Sequence, residues 1–597
     1  MYGTDRKVEQ ASASASPRCP KTNKHRTPRR PNRRAQTLLV AVAVAVTARF
    51  PVAAGLRSAN NTLYNVVCQG NLATADANST STASANSTSD FDWLSLKPST
   101  DIQWTSCYDG HQCARLLLPL DYQSNGTSNA TTAIALRMIP ARNRTNYRGT
   151  VLMNPGGPGE SGTLYMGLLG PSLSATVGDS FDFLSFDPRG VGASTPRLDC
   201  FTTSSERDIW NMQVGNQLLD ASDVSLLNLY IARAQVVGAR CAAASALNGD
   251  IAQFMSTASV ATDMLNIVEK LGQDKLQYWG FSYGTILGQY FAAMYPDNIE
   301  RMVLDGVYDG NNYRASLWNS NVINNEAVID SLFTFCHQAG PSGCALYDST
   351  PDAIRDRFFA VLESVKHAPV AIPLATPPLV VTYLDLIGMI NINAYSPIDG
   401  YPYVAATIRA LETGNQTLLA ALAPALATPV ACDCGQAAPA LPLPLNNYDT
   451  LHAVACGDAD AQTYAREGYA AFFADITRVA PTVGALWAVY HLECTQWPVR
   501  PKWRYTGALA GRPAHPILIV QPKFDPAGPL HDALEVRKRY EGTGLLVQNS
   551  YGHTTPSAPS ACTARYVREY FEAGTMPEEG TVCEPDVLPF VGAVNGN

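Results

Sequence analysis

Charge is what this sequence holds least of: 43 Lys and Arg and 51 Asp and Glu make up 16% of 597 residues, against roughly 25% in an ordinary soluble domain. Wholesale disorder is excluded, because it needs high net charge with little apolar matter, and 46% of this chain is hydrophobic. A surplus of positive charge is also missing. The formal net charge is −8, which excludes a general nucleic-acid-binding surface. Internal repeats are lacking, so a solenoid or array is excluded. The apolar run Thr37–Ala48 is 12 residues, short of the roughly 20 that cross a bilayer, and no stable membrane span is expected. What remains is a large, mildly acidic globular chain. A prior of roughly 150 residues per domain would divide it into about four.

The N-terminus carries Lys21, Lys24, Arg26, Arg29, Arg30, Arg33 and Arg34, then the Thr37–Ala48 run and Arg49. Positive residues before a short apolar run are the pattern of a secretory signal. A long basic segment leaves three alternatives: a signal that stays as a membrane anchor, a nuclear-localisation-like basic patch, and a start codon placed too far upstream. Asn-x-Ser/Thr sequons stand at Asn60, Asn78, Asn86, Asn125, Asn129, Asn143 and Asn415, six of the seven before residue 150. Glycans require secretion, and the crowding suits an exposed segment. Of the 14 cysteines, 13 lie beyond Cys19, with close pairs at Cys107/Cys113 and Cys336/Cys344. In an oxidising compartment these read as disulfides. An odd count leaves at least one unpaired within the chain. Cys432-Asp-Cys434 with His452 and Cys456 does not have a zinc-finger spacing, so no metal is expected.

Residues 71–90 are almost wholly Asn, Ser, Thr, Ala and Asp, a composition that cannot bury enough apolar surface to order itself. Folded sequence is expected to start near Trp93 to Trp104. Thr132–Ile139 alternates as a half-buried strand would. Short apolar runs then end in loops: 150–153 before Asn154-Pro-Gly-Gly, 183–186 before Asp187-Pro-Arg-Gly, 276–279 before Gly280, and 301–304 before Asp305-Gly. Val260, Met264, Val268 and Leu271 share a helix face that Gly272 is placed to end. Strands alternating with helices imply a mostly parallel sheet covered on both sides. Residues 311–500 read as mainly helical, and strand patterns resume at 516–520 and 545–547. One α/β core interrupted by a helical insertion is the simplest architecture.

Gly280-Phe-Ser282-Tyr-Gly284 lies between the 276–279 strand and a helical stretch, the strand–turn–helix that a nucleophile elbow needs. A serine hydroxyl is a poor nucleophile without a base, so a triad is required in the order Ser, acid, His, with the last two in loops after the final strands. Asp525, in Phe524-Asp-Pro526, and His553, in Ser550-Tyr-Gly-His553, meet that order; Asp532 is the fallback acid. The oxyanion needs two backbone N–H donors. Tyr283, after the nucleophile, and Gly157, in the loop Asn154-Pro-Gly-Gly-Pro-Gly159, are placed to supply them. That loop lacks the Lys-Ser/Thr of a phosphate-binding loop. No cofactor is called for.

Together these residues resemble the tripeptidyl aminopeptidase branch of the prolyl-aminopeptidase family of α/β-hydrolase serine peptidases, from about Trp104 to Pro589. The resemblance rests on Asn154–Gly159, Phe186-Asp-Pro-Arg-Gly-Val-Gly-Ala-Ser194, Gly280–Thr285, Arg301–Val307, Phe524-Asp-Pro526 and Tyr551-Gly-His553. It implies an α/β-hydrolase fold with Ser282 as nucleophile, Asp525 as acid and His553 as base. The leader (1–58) and glycosylated spacer (59–100) lie outside the resemblance. The core is expected in two parts (101–310 and 501–597), and by resemblance 311–500 looks like the family's helical cap and 501–597 like its TAP-like region. The expected activity is that of a secreted aminopeptidase on short peptides with a free N-terminus, with a small-ester carboxylesterase as the alternative. An inactive binding module would show a broken triad. Glu160 stands where the family's loop continues with glycine, and Thr554 where secreted members often carry cysteine. An exopeptidase must hold a substrate's α-amino group, for which Glu160, Glu326 and Asp330 are the candidate carboxylates.

Overall fold

The computed structural model describes residues 91–594 apart from 109, 214–216, 427–446 and 463. The leader, the sequons at Asn60, Asn78 and Asn86, Cys432 and Cys434 lie outside the described residues. The four other sequon asparagines, Asn125, Asn129, Asn143 and Asn415, are all exposed.

The strands in chain order are β1 (Thr105–Cys107), β2 (His111–Pro119), β3 (Thr131–Ile139), β4 (Thr150–Asn154), β5 (Asp182–Phe186), β6 (Leu276–Phe281) and β7 (Ile299–Asp305). A small hairpin of β8 (Val370–Ile372) and β9 (Leu379–Val381) follows, and then β10 (Leu518–Phe524), β11 (Gly544–Tyr551) and β12 (Val582–Cys583). Ten of them form one sheet in the order β1-β2-β3-β5-β4-β6-β7-β10-β11-β12. The pairs from β1 to β5 are antiparallel; those from β5 through β4 to β12 are parallel. After β4 the chain crosses to β5 on one side and later to β6 on the other. Crevices that bind ligands form beyond the carboxyl ends of strands at such a reversal.

Parallel strands need helices on both faces, and so their residues are buried on alternate sides. Val151 and Met153 enter one apolar cluster, with Trp279, Val303 and Val520. Leu152 enters the other, with Tyr278, Leu304 and Ile519. The helices Gly162–Leu168, Gly170–Val177 and Ala561–Ala573 supply Met166, Leu173 and Val567 to the first cluster. Helices Thr257–Lys270 and Tyr283–Met294 supply Met264, Val268, Ile286 and Tyr290 to the second. β3 was expected half-buried, yet Thr132–Met138 are all buried. The reason is that both faces are covered: Ile134, Leu136 and Met138 enter the main apolar cluster, while Ala135 packs with Trp93 and Arg137 lies against Tyr108 and the Thr163 carbonyl.

Between β7 and β10 the chain is helical apart from the β8–β9 hairpin, including Asn325–Gly343, Pro351–His367, Tyr383–Asn393, Pro397–Thr413, Asn447–Asp458, Arg466–Val479 and Gly484–Thr495. Val328, Phe358, Ile387, Ile408 and Trp487 from these helices lie in the same cluster as Leu152 and Tyr278. The inserted helices therefore continue the α/β core, and Tyr469 and Leu492 add a smaller cluster with Leu219, Ala221 and Leu227. Residues 91–100, which the sequence placed in the spacer, are also part of the fold. Trp93 is buried with Cys107, Cys113 and Ala135, and Ser99 bridges to Leu116 of β2.

Every cysteine among the described residues is in a disulfide: Cys107–Cys113, Cys200–Cys241, Cys336–Cys344, Cys456–Cys494 and Cys562–Cys583. Cys456 is thereby bound to sulfur and is no metal ligand. No helix among the described residues is long and apolar enough to cross a membrane.

Candidate active site

β6 ends at Phe281, and the next residue turns sharply: Ser282 has φ 56° and ψ −125°, a conformation costly for a residue with a β-carbon. The helix Tyr283–Met294 starts at once. Neighbours fix the turn. The Ser282 N–H donates to the Asp305 carbonyl at 3.0 Å, and Thr285 donates to the Ser282 carbonyl through N–H at 2.8 Å and Oγ1 at 2.6 Å. Ser282 is thus lifted above the strand ends at the positive end of a helix.

Asp525 and His553 are brought to the same edge by two further strands, the former directly after β10 and the latter two residues after β11. His553 Nδ1 is 2.8 Å from Asp525 Oδ1 and 3.0 Å from Oδ2. The carboxylate is also fixed by N–H donors from Ala527 at 2.8 Å, Gly528 at 2.7 Å and Thr554 at 2.9 Å. With Nδ1–H directed at a carboxylate, the neutral ring carries its lone pair at Nε2. Nε2 is buried and has no hydrogen-bond partner among the described residues; in this structure the Ser282 hydroxyl is hydrogen-bonded elsewhere, to Tyr308. Tyr395 from the inserted helices holds the loop: its carbonyl accepts the His553 N–H at 2.8 Å, and its ring meets the imidazole edge-on at 4.9 Å. The fallback acid, Asp532, lies elsewhere. It accepts from Asp309 N at 3.1 Å and Ser320 Oγ at 2.8 Å.

The glycine loop lies against Ser282. A β-carbon on Gly156 would stand 2.7 Å from Ser282 Cβ and 2.9 Å from the Phe281 carbonyl, at a φ of +118°. Gly156 N–H is committed to Asn154 Oδ1 at 3.1 Å. Gly157 and Tyr283 are next in line as donors, Tyr283 because the first N–H groups of a helix have no acceptor within it. The Phe186-Asp-Pro-Arg-Gly motif supports this loop. Asp187 accepts from Ser161 Oγ at 2.8 Å, Thr163 N at 2.8 Å, Thr163 Oγ1 at 3.0 Å and Ala193 N at 2.6 Å. It thereby locks the helix that leaves the loop. Arg189 makes a fully buried, two-pronged pair with Asp263, at 2.8 and 2.5 Å, and its remaining donors reach the carbonyls of Pro119, Leu120 and Phe254.

The three candidate carboxylates part ways. Glu326 accepts from Thr482 N at 2.8 Å and Thr482 Oγ1 at 2.9 Å, and so is spent on a turn of the inserted helices. Asp330 pairs with Arg355 at 2.5 Å on the surface. Glu160 alone of the three adjoins the glycine loop. Asn447 Nδ2 donates to its Oε1 at 3.4 Å, Oε2 is buried without a partner among the described residues, and burial raises its pKa. The inserted helix Asn447–Asp458 closes over this point, with Thr450 Oγ1 donating to the Gly159 carbonyl at 3.2 Å.

Sequence motifs did not single out Tyr308. Its hydroxyl accepts the Ser282 Oγ–H at 3.0 Å, and its ring stacks on His553 with centroids 6.0 Å apart. The available signal was its place three residues beyond the end of β7, where functional groups of open α/β sheets collect. Asp305, at the end of that strand, is fully buried and accepts from Thr555 N at 2.7 Å and Thr555 Oγ1 at 2.5 Å. Burial raises its pKa to about 7.

A family model described as "alpha/beta hydrolase fold" matches residues 149–328, and one described as "TAP-like protein" matches 480–583. The second begins inside the stretch read from sequence as cap. Among curated proteins, a tripeptidyl aminopeptidase of Streptomyces lividans is 25% identical over 80% of this chain and 84% of its own. The serine protease Hip1 of Mycobacterium tuberculosis is 27% identical over 81% of this chain and 91% of its own. A Mycobacterium tuberculosis protein named carboxylesterase B is 27% identical over 79% and 86%.

Proposed function

We propose that this chain, a serine hydrolase of the α/β-hydrolase fold related to tripeptidyl aminopeptidases, is a secreted aminopeptidase releasing residues or short peptides from substrates with a free N-terminus. The observation that carries the reading is the Asp525–His553 pair, its Nε2 without a partner among the described residues, on the strand edge that presents Ser282. In acylation Ser282 Oγ attacks the scissile carbonyl and its proton passes to His553 Nε2. Asp525 keeps the ring in the required tautomer and stabilises the imidazolium. The N–H groups of Gly157 and Tyr283 hold the oxygen as it gains charge. His553 then gives the proton to the leaving amine, and water, activated by the same nitrogen, releases the acyl group.

Glu160 supports the peptide half of the proposal. It is a carboxylate with an uncommitted oxygen beside the loop that would receive the acyl group. An α-ammonium group brought there would relieve the cost of burying that oxygen alone. The contact of Asn447 and Thr450 with this loop supports restriction to short peptides, because the inserted helices crowd the glycine loop. Five disulfides and four exposed sequon asparagines support an oxidising, extracytoplasmic compartment. The likeness to a protein named carboxylesterase B keeps small-ester hydrolysis as the second reading, since one triad serves both reactions. Mass spectrometry of products from an unblocked peptide library separates them. Removal of N-terminal residues or short peptides is expected. Hydrolysis of acyl esters with no peptide cleavage would replace the proposal with the second reading.

A further inference from the structure

Tyr308 is placed on the reacting oxygen with little freedom to leave it. Its backbone N–H donates to Thr285 Oγ1 at 3.1 Å and its carbonyl accepts from Gln289 Nε2 at 2.8 Å. Thr285 Oγ1 also donates to the Ser282 carbonyl at 2.6 Å, so one threonine ties the tyrosine and serine backbones together. The ring is 5% exposed and stacked at 27° on His553. Its hydroxyl is 3.0 Å from Ser282 Oγ and accepts the serine hydrogen.

We propose that Tyr308 is a catalytic residue of acyl transfer: its hydroxyl accepts the Ser282 O–H in the resting enzyme and turns to donate its own hydrogen to Oγ as the serine proton leaves for His553. The proposal rests on the reading of Ser282 as nucleophile. A phenol is both donor and acceptor, so the reversal needs only two hydroxyl rotations: the Ser282 O–H turns from Tyr308 toward His553 Nε2, and the Tyr308 O–H turns toward Oγ. In acylation the Oγ–C bond forms, the carbonyl π pair moves onto oxygen, and the serine proton passes to Nε2. Tyr308 keeps its proton throughout and only redirects it toward the oxygen that is losing one. In deacylation the Oγ–C bond breaks, and the same hydrogen bond steadies the departing Oγ until His553 returns the proton. Burial raises the pKa of the phenol, which keeps that hydrogen in place at any pH where His553 acts as base. A ring that served only to pack against His553 would need no hydroxyl at this distance.

Tyr308→Phe tests the hydroxyl and leaves the stacked ring. Two readouts apply, the second-order rate of Ser282 labelling by a fluorophosphonate and the steady-state constants on an unblocked peptide amide. Loss of a hydrogen bond to an oxygen carrying developing charge is expected to slow labelling and lower kcat by about 10- to 100-fold, with KM and the thermal unfolding midpoint unchanged. Labelling and turnover at the wild-type rate overturn the proposal. A rise in KM with kcat intact also overturns it, since that marks a packing role. Failure of the wild-type protein to take the label on Ser282 would instead overturn the reading of Ser282 as nucleophile.

Discussion

Gly156→Ala places one methyl group against Ser282 and the Phe281 carbonyl. The new β-carbon would lie 2.7 Å from Ser282 Cβ, 2.9 Å from the Phe281 carbonyl oxygen and 3.1 Å from Ser282 Oγ. Carbon atoms settle at about 3.5–4.0 Å, so the loop and the elbow must separate by about 0.8 Å. The left-handed φ of +118° adds about 1–3 kcal/mol of backbone strain. A domain with about 5–15 kcal/mol of stability survives that strain. The geometry of attack does not survive the displacement: about 1 Å of misplacement costs on the order of 100-fold in rate. The expected result is a folded protein whose kcat on a peptide amide falls about 100-fold. Gly272→Ala is the matched control, because it has a φ of +73° with nothing within 4 Å of the new atom. It should share the strain and keep wild-type kcat. Wild-type turnover in Gly156→Ala, or equal losses in both variants, would refute the steric argument.

Other consequences follow from groups around the site. Asp305 has a folded pKa of about 7, above its unfolded value, so the native state holds the extra proton between about pH 4 and 7. Stability contributed by this group is therefore present at low pH and lost as pH rises through 7. Asp305→Asn, which mimics the protonated form, should gain about 1–3 kcal/mol on the wild type between pH 5 and pH 8 in denaturant titrations; a constant difference would contradict the assignment. Glu160→Gln should raise KM for an unblocked peptide about 10- to 100-fold and leave kcat nearly intact, and unchanged KM would remove Glu160 as the ammonium partner. Replacing both Cys456 and Cys494 by serine opens a bridge across 38 residues. The loop-closure model gives a loss of about 4 kcal/mol in chemical denaturation, and a loss below about 1 kcal/mol would count against that model here.

The parts of this molecule that were legible in sequence are those whose signal is local. Gly280–Gly284 marks the elbow because the close packing around the turn leaves no room for a β-carbon two positions before or after Ser282, and β4 to β7 announce themselves as short apolar runs that stop at loops. Asp525 and His553 lie 28 residues apart but could be picked by strand order, since the fold delivers successive strand ends to one edge. What escaped were relations between distant segments. Nothing near Tyr395 indicates that its carbonyl holds the His553 N–H, and nothing near Glu326 indicates that Thr482 occupies it. Cys200–Cys241, Cys456–Cys494 and Cys562–Cys583 span 41, 38 and 21 residues, and only the fold brings each pair within bonding reach. Trp93 was set on the border of a polar spacer, and its burial against Cys107 and Ala135 depends on a surface made by β2 and β3.

The central claim is that Ser282 cleaves peptides that present a free N-terminus. Side-by-side hydrolysis of a tripeptidyl amide and its Nα-acetyl counterpart by the wild-type protein and Ser282→Ala tests it directly. The account predicts turnover of the unblocked substrate alone, by the wild type alone, with Ser282→Ala folded and inactive. Retained turnover in Ser282→Ala, or cleavage of the acetylated peptide as fast as the free one, would contradict it.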